Sequence, residues 1–250
     1  MGVAAGVLAT IVVGLLVFVQ PRRGKRRFEQ LKVDVLVDPT ARVRWYRRSI
    51  VAAWIMTVVV AMIGLLARAA GHEIGLPPAS SPEGEALGWT VTVEMVVLIP
   101  ITALAMRSRK PAIQRFIRRQ VGHLWPILPV SREERTVFVG VALTAGICEE
   151  VVFRWFGITY VRWLAPESTN LTVALVIGVV FGLGHYYQGR FGVLMTGVAG
   201  VAFTMLTLST GSLIPAIIIH ALIDLRIVAL REVPVPVTSP DLADLPQPPA

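Results

Sequence analysis

A pair of adjacent acidic residues lies inside one of the most apolar parts of the chain. Residues 148–154 read CEEVVFR, between VFVGVALTAGI on one side and WFGITYV on the other. His185, His220 and Asp224 also fall inside apolar stretches. An ionisable residue at the centre of a membrane span costs about 2.5–3.5 kcal/mol on insertion scales, so such residues usually face a polar cavity and mark function. Five of them, on three stretches, predict a functional site within the bilayer.

The two glutamates differ in the partners that their spacing allows. Glu150 precedes Arg154 by four residues, which is the favourable order for an ion pair on one helix face, and we interpret this pair as structural. Glu149 is turned about 100° away on an α-helix. One turn back it meets Ala145 and Gly146, where we expect open space. A carboxylate beside such a gap can act as a general base, so the sequence favours catalysis by Glu149, with a buried structural acid as the alternative.

The histidines carry a weaker signal when each is taken alone. Gly182 and Gly184 predict close backbone approach around His185, which by itself would be read as a packing residue. His220 and Asp224 are four residues apart, so the carboxylate could orient the imidazole, or both could bind a metal ion. A hydrogen bond that joins two helices is the structural alternative for His220 and Asp224.

Composition identifies the surroundings of these residues as a membrane. The 250 residues are 54% hydrophobic and 16% charged, with a mean hydropathy of +0.67, whereas soluble domains are about a quarter charged. We predict an all-α, polytopic bundle of seven spans with an intramembrane active-site cavity. An eighth span or a re-entrant piece at 157–164 is left open. The predicted spans are 3–19, 50–66, 87–106, 137–156, 171–187, 191–208 and 213–230.

Charge asymmetry predicts the orientation in the bilayer. Lys and Arg are concentrated at 22–48 and 107–135, whereas the loops at 72–85 and 162–170 carry almost none. Because basic loops stay cytoplasmic, we expect an integral protein of the cytoplasmic (plasma) membrane with its N-terminus outside and its C-terminus inside. These juxtamembrane charges account for the net charge of +8, so the lipid bilayer is the expected partner and nucleic acid is not.

Three regions follow along the chain. Residues 1–130 hold the first spans, the basic loops and, at 108–125, an amphipathic helix expected to lie at the membrane interface. Residues 131–231 hold the ionisable residues, and Ser131 and Glu134 match a capping box at the start of this region. Residues 232–250 are Pro-rich and are predicted to be disordered.

Three short motifs resemble those of the CPBP family of intramembrane proteases, which includes CAAX proteases and bacteriocin-processing enzymes. The resemblance covers about residues 137–230 and implies a helical membrane protease with a cavity open to the cytoplasm. Its expected substrates are membrane-associated proteins or peptides, in CAAX-type processing or in bacteriocin or peptide maturation and self-immunity. The matching residues are Glu149, Glu150 and Arg154 for EExxxR, Phe181 and His185 for FxxxH, and His220 and Asp224 for HxxxN/D.

The resemblance implies a role for each side chain. Glu149 would activate the attacking water together with His185, and Glu150 would be fixed by Arg154. His220 and Asp224 would complete the pocket and face the oxyanion. Asp224 stands where the motif also allows asparagine, and an ionised aspartate cannot donate to an oxyanion. It must therefore be protonated, orient His220, or bind a cation.

The sequence is compatible with both a metal-dependent and a metal-free mechanism. The family is described as metalloproteases, and a metal-free glutamate mechanism has also been proposed for it. Glu149, His185 and His220 could hold Zn²⁺ with one open position, but no compact zinc motif such as HExxH is present. A non-catalytic membrane scaffold or immunity protein of the same fold is the alternative function. A coupled transporter is disfavoured because the first half shows no second copy of the polar motif.

Overall fold

Helices make up the architecture. The structure, a computed structural model, describes residues 1–231, and the predicted disordered tail at 232–250 lies outside the described residues. Within residues 1–231 the chain forms eight helical segments and no strand, which confirms the predicted all-α fold. They are α1 Val3–Val37, α2 Ala41–Ala69, α3 Pro82–Met106, α4 Pro111–Val121, α5 Arg132–Leu164, α6 Asn170–Gly184, α7 Tyr186–Thr210 and α8 Ile214–Leu225.

Five of these helices are long and apolar enough to cross a membrane, namely α1, α2, α3, α5 and α7. The other two predicted spans form shorter helices, because α6 has 15 residues and α8 has 12. At 1.5 Å per residue these are about 22 and 18 Å long, less than the hydrocarbon thickness of about 30 Å. Helix α6 stops before His185, and α8 continues only as the 3₁₀ turn Arg226–Ala229. The segment at 157–164 continues α5, so it is not a separate eighth span.

Helix α1 combines a membrane part with a basic extension. Its apolar half places Ala5, Ala9, Val12 and Leu16 on one buried face at helical spacing. This face joins the largest apolar cluster of the described residues, together with α2, α5 and α6. Beyond a π-helical turn at Leu15–Val19 the same helix becomes strongly basic. A 35-residue helix is about 52 Å long, so this half extends past the hydrocarbon layer.

A polar network fixes the start of α5. Ser131 Oγ accepts from the Glu134 backbone N–H at 3.1 Å, and the Glu134 carboxylate accepts from the Ser131 N–H at 3.0 Å, which confirms the predicted capping box. The same carboxylate lies 3.5 Å from the Arg42 guanidinium of α2. Arg42 Nε in turn donates to the Pro126 carbonyl at 3.0 Å. These contacts join α2, α5 and the turn after α4 at one end of the bundle.

The amphipathic segment forms α4, as the sequence predicts. Much of its apolar face packs on the protein, since Ile117 forms a buried cluster with Leu128 and Leu230. Phe116 remains exposed on the outer side of the helix. Helix α4 therefore covers the end of the bundle near the last described residues.

Glycines allow the helices around the site to approach closely. A Cβ at Gly182 would lie 2.6 Å from the Val193 carbonyl oxygen, and one at Gly178 would lie 2.9 Å from the Gly197 carbonyl oxygen. Helices α6 and α7 can therefore pack backbone against backbone, as small residues permit in membrane bundles. Gly184, which the sequence predicts to serve the same purpose, has no such neighbour within 4 Å.

Gly146 serves as the contact between α5 and α8. A Cβ on this residue would lie 2.8 Å from the Ala221 Cβ and 3.0 Å from the Ala221 backbone nitrogen. The expectation of open space beside Glu149 is therefore wrong at Gly146, because Ala221 occupies that space. Because Gly146 has no side chain, Ala221 and the residue before it, His220, can lie close to α5.

Replacing Gly146 with alanine should lower the melting temperature in detergent. The added methyl group overpacks the α5–α8 contact, and such overpacking costs about 1–3 kcal/mol. Gly140→Ala, on the same helix, is the matched control, because its Cβ would lie 3.4 Å from the flexible end of Ile50. Better helix propensity should leave that variant as stable as the wild type or more stable. Equal melting temperatures for the two variants would contradict the assigned contact.

Candidate active site

Three helices supply the predicted site residues. Glu149 is the last α-helical residue before the π-helical segment Glu150–Phe156 within α5. His185 caps the C-terminus of α6, and His220 lies in α8. The wider π turn changes the direction in which the side chains that follow Glu149 project, and π segments inside α-helices are frequent at functional sites. The predicted meeting of acidic and imidazole groups from three elements is present.

Glu149 faces both imidazoles. Its Oε2 lies 3.9 Å from His220 Nε2 and 4.0 Å from His185 Nε2. This oxygen is buried and has no direct hydrogen-bond partner among the described residues. Both separations are longer than a direct hydrogen bond. They suit a single water molecule that bridges the carboxylate and the two imidazoles.

Each histidine is held by its other ring nitrogen. His185 Nδ1 donates to the Phe181 carbonyl oxygen at 2.9 Å. His220 Nδ1 donates to Glu150 Oε1 at 2.7 Å across the α5–α8 interface. Because Nδ1 is committed in both rings, both Nε2 atoms are directed toward Glu149.

The structure corrects the expected partner of His220. The sequence offered Asp224 as the carboxylate that orients this imidazole, but Glu150 makes the hydrogen bond to Nδ1. Asp224 Oδ2 lies 3.8 Å from Nε2, the same nitrogen that faces Glu149. Asp224 would therefore lie beside any group that binds to Nε2, and it does not bond to Nδ1.

The predicted ion pair between Glu150 and Arg154 is confirmed. Both side chains are fully buried, and Glu150 Oε1 lies 3.1 Å from Arg154 Nη1. None of the three guanidinium nitrogens has a well-directed hydrogen-bond partner among the described residues, so the contact is mainly electrostatic. The guanidinium carbon lies 4.5 Å from the Phe181 ring centre and 5.2 Å from the Phe203 ring centre. Cation–π attraction to two rings therefore supplements the single carboxylate.

Phe203 of α7 is a site residue that the sequence reasoning missed. Its ring stacks on the His220 ring, with centres 5.4 Å apart and planes inclined by 21°. The same ring covers Arg154, so it contacts both partners of Glu150. In the sequence Phe203 stands in GVAFTML, among apolar residues, and no spacing distinguishes it from a core residue.

The distances between the side chains named as zinc ligands differ from those that zinc requires. No three His, Cys, Asp or Glu side chains within residues 1–231 lie close enough to hold a metal ion. With bonds of about 2.0–2.1 Å, two ligand atoms on tetrahedral zinc lie about 3.3 Å apart. Glu149 Oε2 lies 3.9 and 4.0 Å from the two imidazole nitrogens. As positioned, Glu149, His185 and His220 do not fit a zinc ion.

Comparison with known proteins adds the family. No curated protein and no solved structure matches the chain. Residues 132–226 match the family model described as type II CAAX prenyl endopeptidase, Rce1-like. The matched region holds all of the site residues that the sequence predicts, and the match confirms the resemblance to CPBP intramembrane proteases. Through residues 132–226 the chain is therefore similar to the Rce1-like type II CAAX prenyl endopeptidases.

Proposed function

We propose that this integral membrane protein is an intramembrane endopeptidase in which Glu149 activates the attacking water. The observation that carries the proposal is the convergence of Glu149 Oε2 with the Nε2 atoms of His185 and His220 at 3.9–4.0 Å. A carboxylate without a direct partner, opposite two oriented imidazoles, can serve as a base for water. The match of residues 132–226 to a protease family model supports the same reaction class.

The proposed reaction needs only side chains of this chain and water. The water donates one hydrogen bond to Glu149 Oε2 and one to His185 Nε2. Its oxygen then attacks the carbonyl carbon of the scissile peptide while Glu149 takes the proton. As the tetrahedral intermediate collapses, the C–N bond breaks and Glu149 delivers that proton to the leaving amine.

We assign stabilisation of the oxyanion to His220 in its protonated form. Protonated His220 keeps its Nδ1–H on Glu150 and can donate from Nε2 to a developing negative charge. Three carboxyl groups, from Glu149, Glu150 and Asp224, lie within 4 Å of this one imidazole and would balance its positive charge. In this scheme Asp224 needs no amide N–H, since His220 is the donor.

The proposed substrates are membrane-associated proteins or peptides, as in CAAX-type processing or in the maturation of small peptides. The basic half of α1 packs against the turn that follows His185, where the Phe28 and Tyr187 ring centres are 5.3 Å apart. We therefore propose that the site lies toward the basic side of the protein. The excess of basic residues there supports a cytoplasmic opening in the cytoplasmic membrane, with the N-terminus outside and the C-terminus inside.

Glutamine substitution should separate the roles of the two glutamates. Glu149→Gln keeps the shape of the side chain but removes the base, so cleavage of membrane-bound peptides should fall at least about 100-fold while the melting temperature is kept. Glu150→Gln leaves Arg154 buried without its counter-charge, a loss that costs about 3–5 kcal/mol, so the protein should unfold at lower temperature. Cleavage assays and thermal melts of the purified variants measure both effects.

A result in which Glu149→Gln cleaves as fast as the wild type would refute the proposed base. Absence of cleavage by the wild type across lipid-modified and unmodified membrane peptides would instead favour the non-catalytic scaffold or immunity protein.

Chelation should leave the activity unchanged. The positions of Glu149, His185 and His220 suit a bridging water better than a zinc ion, so treatment with 1,10-phenanthroline should not slow cleavage. Metal analysis of the purified wild type should find less than one zinc per chain. Loss of activity on chelation, restored by added Zn²⁺, would contradict the metal-free mechanism and favour the zinc alternative.

Removing the ring of Phe203 should slow catalysis. Phe203→Leu keeps an apolar side chain but loses the stacking on His220, and an aromatic pair is worth about 0.5–1.5 kcal/mol, so kcat should fall about 2- to 10-fold with KM unchanged. Phe138→Leu is the matched control, because this buried ring contacts Tyr46 at 5.4 Å, away from the imidazoles. It should lower the melting temperature without changing kcat. Equal kcat values in both variants would argue against a positioning role for Phe203.

A further inference from the structure

A groove with basic walls lies on α1, just beyond the apolar half of that helix. It has a volume of about 420 Å³ and runs between α1 and the first residue of α7. Three of its lining residues, Arg22, Lys25 and Arg26, are cations with exposed side chains. Tyr186, which directly follows His185, forms part of the wall. The groove is separate from the pocket formed by Glu149, His185 and His220.

The groove has an excess of positive charge. Its lining includes one carboxylate, Glu29, and this group lies 2.8 Å from the Lys32 ammonium. Among the described residues no carboxylate lies within 4 Å of Arg22, Lys25 or Arg26 in an ion pair. Arg22 donates to the Phe18 carbonyl oxygen at 2.7 Å, which fixes its guanidinium at the end of the apolar half. The Lys25 ammonium stands 5.1 Å from the Tyr186 ring centre.

The groove directly follows the apolar half of α1, the position at which lipid headgroups are expected. The apolar half of α1 ends with the π turn Leu15–Val19, and the first cation of the groove follows three residues later. Basic residues directly next to a membrane span attract the anionic lipids of the cytoplasmic leaflet. Guanidinium groups bind phosphate oxygens in a fork, and an ammonium group adds a point charge.

The same helix that carries the groove also contacts the turn beside the site. Phe28, which is buried, packs its ring against Tyr187. The Tyr187 ring centre lies 6.0 Å from that of His185. A phosphate held between Lys25 and the turn at Tyr186 would therefore fix this turn against α1.

We propose that this groove binds the phosphate headgroup of an anionic phospholipid, and that the bound lipid holds His185 in its working position. The effect on His185 rests on the function proposed above, whereas the binding does not. Lipid binding links the peptidase to the composition of its membrane, because the turn that carries His185 forms one wall of the lipid site.

Matched charge deletions on α1 test the binding. Lys25→Gln/Arg26→Gln removes two charges from the groove, and Arg23→Gln/Arg27→Gln removes two exposed charges from the same stretch of helix outside it. The full-length protein in nanodiscs of phosphatidylcholine, with or without phosphatidylglycerol, is titrated with spin-labelled phosphatidylglycerol. The groove variant should bind this lipid at least 10-fold more weakly than the wild type, and the control less than 3-fold more weakly.

Three results would overturn the proposal. An equal loss of lipid affinity in both variants would show that only diffuse charge attraction is involved. Tight binding of free inorganic phosphate would show that the groove does not select a lipid. In peptide cleavage assays, phosphatidylglycerol should raise kcat/KM for the wild type and the control but not for the groove variant. Equal stimulation of all three proteins would refute the coupling to His185. Lipid binding is measured without substrate, so its failure leaves the peptidase proposal intact, and failed cleavage leaves the lipid site intact.

Discussion

The buried charge of Arg154 is the constraint on which the rest of the site depends. A guanidinium at zero exposure inside a membrane bundle is tolerated only with a counter-charge and close polarisable neighbours. Glu150 supplies the charge, and the rings of Phe181 and Phe203 cover the faces of the guanidinium. Because one oxygen of Glu150 also accepts from His220 Nδ1, the ion pair fixes the imidazole as well. The Glu150 carboxylate thus both neutralises Arg154 and orients His220.

This arrangement divides the work of the adjacent glutamates. Glu150 Oε1 contacts Arg154 and His220, away from the place where a substrate would bind. Glu149 Oε2 has no direct hydrogen-bond partner and faces two imidazole nitrogens. The division depends on the contact at Gly146, since Ala221 could not approach α5 past a larger residue and His220 would lose Glu150. Phe203 closes the arrangement from α7 by stacking on His220. The chemistry of Glu149 is therefore set by residues that never touch a substrate.

Much of this could be predicted from the sequence, and the remainder has identifiable physical reasons. Spacing on one helix was enough for the Glu150–Arg154 pair and for the capping box of Ser131 and Glu134. Contacts between helices were not accessible in this way, because the Glu150–His220 bond and the stacking of Phe203 depend on how α5, α7 and α8 pack. The rotation of about 100° per residue that the sequence predicts between Glu149 and Glu150 also does not hold in the π segment that follows Glu149. Hydropathy likewise extended the fifth predicted span to residue 187, although helix α6 ends before His185.

The early end of α6 explains why the His185 ring bonds to the backbone carbonyl four residues before it. In a continuing helix, the Phe181 carbonyl would accept from the backbone N–H of His185. Here that N–H bonds the Gly182 carbonyl instead, as in a 3₁₀ turn, and leaves the Phe181 carbonyl free. The imidazole Nδ1 occupies this free acceptor, so the helix end itself selects the nitrogen that faces Glu149. Irregular backbone at membrane depth is tolerated where it lines a polar cavity, and hydrolysis requires water in such a cavity. An irregular helix end would be costly in a lipid-facing span. Here it orients His185 and lines a cavity that water can enter.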